Sequence, residues 1–198
     1  MIKYPNGKQM NFQSESKKSK NKDTIYKNRG MDFENDINIS LEYFDGAGLA
    51  IITKRPTPIN VVRVDYTHGA KIIDAYFEKQ STTDYNGVYR GKYIDFEAKN
   101  TKSKTSLPLH NITPHQISHL EKVIKYGGIA FFVISLESID KVYLLDASYV
   151  ISFYKSKERA SIPVSEIIEN GIEIKQGYMP RYQILEAIDE AYFHEENN

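Results

Sequence analysis

Residues 82–99 read TTDYNGVYRGKYIDFEAK, and this stretch decides how the rest of the chain is understood. From Tyr93 to Lys99 the residue types alternate: Tyr93, Asp95, Glu97 and Lys99 interleave with Ile94, Phe96 and Ala98. Successive side chains of a strand point to opposite faces. The spacing therefore predicts a strand over 92–99 with an apolar face turned to the core and a second face carrying ionisable groups. Upstream, Thr82 to Tyr85 reads as a partner strand, with Asn86-Gly87 as the hairpin turn, which brings Asp84 within reach of Glu97 and Lys99. Two carboxylates held close repel unless a hard cation lies between them, and Mg²⁺ accepts one or two carboxylates together with water and substrate phosphate. The set suits phosphodiester hydrolysis, in which the ion polarises the phosphoryl group and the Lys99 ammonium steadies the charge of the transition state. A solvated strand face carrying a chance Glu-x-Lys triplet is the plainer alternative.

Outward from this hairpin, Phe33, Ile37, Leu41 and Phe44 recur at helical spacing and predict an amphipathic helix over 31–44, ended by Gly46 and Gly48. A strand follows from Gly48 to Lys54. Pro56 and Pro58 then break the ladder before an extended piece from Ile59 to Tyr66, a turn at Thr67-His68-Gly69 and a return from Lys71 to Phe77. Residues 56–78 thus read as a protruding hairpin. After a polar loop over 100–106, Thr113 is a plausible N-cap with Pro114 at the first helical position, and Gly127-Gly128 stop that helix. Strands over 129–135 and 141–145, a short helix over 148–154 and a helix over 181–193 complete a single α/β domain with a mixed sheet.

The chain has 198 residues, enough for one domain with a real core. Without cysteine, disulfide scaffolds, thiolate zinc sites and cysteine nucleophiles are excluded, and an intracellular, cytoplasmic address is expected. The longest apolar run, Ile129 to Leu136 interrupted only by Ser135, is far below the roughly 20 residues of a membrane helix. The opening MIKYPNGKQM lacks the apolar core of a signal peptide. Lys+Arg and Asp+Glu balance at 26 each, yet residues 1 to 30 hold eight basic side chains against Glu15 and Asp23. Residues 1–29 are expected to form a basic flexible arm, disordered from Gln13 to Lys22, ahead of a domain over 30–198. The arm is either a solubilising tail or a searcher for phosphates through counterion release.

Asp84 followed after twelve residues by Glu97-Ala98-Lys99 resembles the PD-(D/E)xK nuclease superfamily, with Thr83 where proline often stands. Tyr4-Pro5-Asn6-Gly7-Lys8, Asn28-Arg29-Gly30-Met31, Pro56-Thr57-Pro58, Ala75-Tyr76-Phe77, Ser81 to Gly87, Tyr93 to Lys99 and the Gly177-Tyr178-x-Pro180-Arg181 string together resemble the RecU family of Holliday junction resolvases. The resemblance covers essentially the whole chain. It implies a restriction-endonuclease-like mixed β-sheet flanked by helices, with 56–78 as a stalk entering the open centre of a four-way DNA junction. It implies a homodimer that resolves junctions by symmetric nicking in recombination and repair. It further implies Mg²⁺, with Mn²⁺ as a substitute, held at Thr82, Asp84, Glu97 and Gln116, with Lys99 as transition-state stabiliser.

Gln116 also makes sense alone, since a helix from Pro114 can aim its amide carbonyl at metal-bound water. His115 and His119 are four apart, but hard oxygen ligands favour Mg²⁺, so that pair is read as structural or phosphate-facing. Asp95 reads as a hydrogen-bonding neighbour of the centre. For DNA contacts the candidates are Arg29 in the arm, and Lys54, Arg55, Arg63 and Lys71 on or beside the stalk. Tyr76 and Phe77 join them as aromatic faces for unstacked bases, with one of the two expected to pack the stalk base. Two other readings share these features: a strand-annealing protein that modulates a RecA-type recombinase with little cleavage, and a restriction-like nuclease acting on ordinary duplex.

Overall fold

The computed structural model describes residues 22–77 and 82–193, with side chains described from Phe33 onward. Residues 1–21 of the arm expected over 1–29, and the Arg29 side chain, lie outside the described residues. Helix α1 runs from Lys22 to Gly46, so helical backbone begins nine residues before the expected start at Met31. Its predicted apolar stripe is buried: Phe33, Ile37, Leu41 and Phe44 face the core. Gly48, at φ 70°, turns the chain out of the helix towards β1 (Ile51–Lys54), a conformation that glycine adopts without steric cost.

After β1 the chain leaves the body as β2 (Ile59–Asp65) and β3 (Lys71–Phe77), which pair only with each other as an antiparallel ribbon. It returns as β4 (Tyr85–Tyr89) and β5 (Lys92–Thr101). There follow β6 (Ser106–Pro108), a 3₁₀ turn over Leu109–Asn111, α2 (Pro114–Lys125), β7 (Ile129–Leu136), β8 (Lys141–Asp146), α3 (Ala147–Ser156), β9 (Ser161–Pro163), α4 (Val164–Asn170), β10 (Ile172–Glu173) and α5 (Ile184–Tyr192). Six strands form the main sheet in the order β1-β4-β5-β7-β8-β10, with β5 and β7 parallel and every other pair antiparallel. This is the expected mixed sheet flanked by helices. The short β6–β9 ribbon and α4 lie where the sequence reading has only loop. Among the described residues no helix is long and apolar enough to cross a membrane.

The sheet is covered on both faces, which explains the apolar run of β7, broken only by Ser135. Phe131 and Val133 face the layer that holds α1 and α5, whereas Ala130, Phe132 and Ile134 face the layer of α2, α3 and α4. Each fully buried aromatic or aliphatic side chain here contributes roughly 1.5–3 kcal/mol. Tyr85, Phe96 and Phe131 stack across three adjacent strands, with ring centroids 4.7 and 4.9 Å apart.

That stack corrects the expected turn. The hairpin reverses at Arg90-Gly91, both at positive φ (47° and 73°), and not at Asn86-Gly87. Turning there pairs Tyr85 with Phe96 and buries both rings, so burial decides the register over the stronger local turn signal. Asn86 and Gly87 instead lie inside β4, where Gly87 pairs with Ile94 on one side and Ile52 on the other.

The stalk is a bare ribbon. Tyr76 and Phe77 are both exposed, at 60% and 78%, so neither packs its base: a two-stranded ribbon has no second layer to receive them. Arg63 and Lys71 are exposed on it as well.

Candidate active site

The predicted centre forms where β4 enters the sheet beside β5. Asp84 and Glu97 are locked together through backbone: the Asp84 amide donates to Glu97 Oε2 at 3.2 Å, and the Ala98 amide donates to Asp84 Oδ2 at 3.1 Å. Lys99, two residues along the same face, donates from Nζ to Glu97 Oε1 at 2.6 Å. Thr82, half-buried, stands at the start of the same segment. The strand face is not the solvated one that alternation alone allows. Helix α2 lies over it, leaving Glu97 2% and Asp95 0% exposed.

The local reason is the start of α2. Thr113 caps the helix by accepting from the Gln116 amide, and Gln116 answers as the reciprocal half of the box, its Oε1 accepting from the Thr113 amide at 2.9 Å. That fixes the other end of the amide, Nε2, which donates to Glu97 Oε1 at 2.5 Å. Gln116 therefore reaches the centre as expected, but with its donor: its carbonyl is occupied by the cap and does not face outward.

Burial pushes the Glu97 carboxyl up to about 7, the neighbouring Asp84 charge adds to this, and Lys99 opposes it. A buried carboxylate raised by its neighbour is a group that a cation would relieve. Among the described residues no three His, Cys, Asp or Glu side chains gather as a ready cage. Two carboxylates, with water and substrate phosphate to complete the set, fit Mg²⁺, which rarely uses an all-protein cage.

Beside this centre sits a second, buried cluster. Asp95 Oδ2 accepts from Arg55 at 2.5 Å, from the Tyr93 hydroxyl at 2.9 Å and from His119 Nε2 at 2.8 Å, while Oδ1 accepts from the Thr83 hydroxyl. Burial pushes the Asp95 carboxyl up, but the hydrogen bonds from His119, Thr83 and Tyr93 outweigh it and hold the group below its ordinary range. Asp95 is the hydrogen-bonding neighbour that the sequence suggests, and His119 is bonded to it. The parts played by Arg55 and Thr83 escape sequence reading. His119 alone carried a signal, because Gln116 and His119 are three apart and so share the helix face turned to β5.

The expected DNA-contacting cations divide. Arg55 is committed to Asp95, with its side chain 21% exposed, and Lys54 is paired with Glu34 at the surface. Arg63 and Lys71 on the ribbon stay open to solvent together with Tyr76 and Phe77.

A family model described as RecU, Recombination protein U, matches residues 28–190. Curated relatives named Holliday junction resolvase RecU, from Geobacillus kaustophilus (strain HTA426) and Bacillus thuringiensis (strain Al Hakam), are each 46% identical over 197 residues, spanning 97% of this chain and 98% of theirs. A solved structure of Hjc from Archaeoglobus fulgidus, titled a Holliday junction resolvase, is 16% identical and covers 72% of this chain and 94% of its own at a TM-score of 0.41.

Proposed function

This chain belongs to the RecU family of recombination proteins, and on that premise we propose that it is a Holliday junction resolvase, an endonuclease that nicks four-way DNA junctions. The observation that carries the reading is the joint placement of Asp84, at the entrance of β4, with Glu97 and Lys99 on β5. Asp84 and Glu97 would hold a divalent ion, Mg²⁺ in our reading with Mn²⁺ as substitute, with Thr82 and Gln116 at its margin. Such an ion supplies electrophilic pull on the phosphoryl group and acidifies a water.

The chain's own groups do the rest. The Ala98 amide fixes Asp84, and the Asp84 amide together with Gln116 Nε2 fixes Glu97, so neither carboxylate must reorganise as the phosphate arrives. Lys99 Nζ, 16% exposed at the side chain and already held by Glu97, presents a fixed positive charge to the pentacoordinate phosphate. α2 keeps bulk water off Glu97, which strengthens each of these interactions. The ribbon would enter the open centre of the junction, with Tyr76 and Phe77 stacking on unpaired bases and Arg63 and Lys71 meeting phosphates. A four-way junction has two equivalent strands to cut, so we assign the working unit to a homodimer with one centre per protomer, acting in the cytoplasm.

The test compares a synthetic four-way junction with a linear duplex of matching sequence, at salt high enough to suppress non-specific binding. Nicking confined to the junction is the expected result. Equal cutting of the duplex points to a restriction-like nuclease, and strand annealing without any cutting points to a recombinase modulator.

A further inference from the structure

Both roots of the stalk end on one carboxylate. The outgoing limb leaves the body at Arg55, directly before Pro56, and the returning limb re-enters it at Thr83, directly before Asp84. Arg55 bonds Asp95 Oδ2 through its guanidinium, and Thr83 bonds Asp95 Oδ1 through its hydroxyl. The roots also bond each other, since the Arg55 amide donates to the Asp84 carbonyl at 2.8 Å. Asp95 is wholly buried, in the middle of β5, two residues before Glu97 on the same face. His119 and Tyr93 hold it from α2 and from its own strand.

We propose that Asp95, Arg55 and Thr83 form a clasp that ties the stalk to the catalytic carboxylate Asp84, so that the posture of the ribbon sets the geometry of the centre. The three are positioning residues and touch neither phosphate nor ion. A network serving stability alone could join any two strands. This one joins the two points where a ribbon that pairs with no strand of the main sheet meets the body, and one of those points adjoins Asp84. Because β2 and β3 pair with no strand of the main sheet, force on the ribbon reaches the core through its roots. The clasp makes junction engagement and metal-centre geometry interdependent, and thereby selects a substrate that can seat the stalk. It rests on the resolvase reading for its substrate but not for its geometry.

The test uses full-length Thr83→Val, Asp95→Asn and Thr83→Ser beside the unaltered protein. Expected for Thr83→Val and Asp95→Asn is junction affinity within about twofold of the original. Single-turnover nicking should fall about 10–100-fold, the range seen when groups that orient metal ligands are removed, with a raised Mg²⁺ midpoint. Thr83→Ser, which keeps the hydroxyl, should restore the rate. As a readout free of activity, hydrogen exchange at the Arg55 amide should quicken in Thr83→Val. Original nicking rates in Thr83→Val, or a loss confined to junction affinity, overturn the clasp. So does unchanged exchange at Arg55, whether or not the protein nicks DNA. Absence of nicking by the unaltered protein overturns the resolvase reading instead and leaves the exchange measurement to decide the clasp. Should Asp95→Asn fail to fold, the Thr83→Val and Thr83→Ser pair decides alone.

Discussion

Glu97 is a carboxylate kept almost dry beside a second carboxylate, and that has a cost in the metal-free protein. With its carboxyl raised to about 7 from an ordinary 4.5, the folded chain holds a proton that the unfolded chain releases. Stability should therefore fall as pH rises from about 4.5 to 7, by on the order of 3 kcal/mol. Thermal melting in chelator across this window checks the sign, and added Mg²⁺ should restore the melting temperature above pH 7 through binding to the native state. Glu97→Gln cannot titrate, so in chelator it should lose most of the fall in melting temperature that the original shows between pH 4.5 and 7. An equal fall in Glu97→Gln would contradict the burial argument. At this scale the candidate site was legible because period-two alternation is local: Asp95, Glu97 and Lys99 declare their shared face within one strand. The Arg55–Asp95 pair was not, since its members lie 40 residues apart and only the strand order brings them together.

β4 shows what an element demands of its residues. A Cβ on Gly87 would lie 2.0 Å from the Ile51 carbonyl oxygen and 2.5 Å from the Ile52 Cα, so the close pairing of β1 with β4 excludes any side chain there. Gly87→Ala should thus cost several kcal/mol in urea unfolding and depress nicking too, because β4 carries Asp84 at its entrance. A variant as stable as the original would refute the register. The ribbon gives the opposite expectation. Replacing residues 59–77 with a short Gly-Ser linker should leave the melting temperature of the body within a few degrees, since β2 and β3 pair with no strand of the main sheet, while junction cleavage is lost. Prolines 56 and 58 made the stalk legible, and the spacing of Phe33, Ile37, Leu41 and Phe44 did the same for α1. The hairpin turn was misread because Asn-Gly is a strong local signal, and stacking of Tyr85 on Phe96 outweighs it. Helix α4 and the β6–β9 ribbon, three to seven residues each, are too short for a periodic pattern to stand out.

Across the whole molecule the design is a two-sided sheet with two buried faces and a polar cluster under α2 where β4, re-entering from the stalk, meets β5. β1 and β4 are neighbours although residues 55–84 separate them in sequence, so the stalk grows from beside this cluster. Chain order and composition disclosed the α/β class and the apolar β7, but adjacency across an insertion is a tertiary fact that no local window contains. The proposed activity requires Lys99 to act with Asp84 and Glu97 on a scissile phosphate. The most direct measurement maps nicks on a four-way junction labelled strand by strand, for the original protein and for Lys99→Ala. Paired nicks at symmetric positions that require Mg²⁺ are predicted, reduced by about 10²–10³-fold in Lys99→Ala while junction binding persists. Nicking at the original rate by Lys99→Ala would contradict the account.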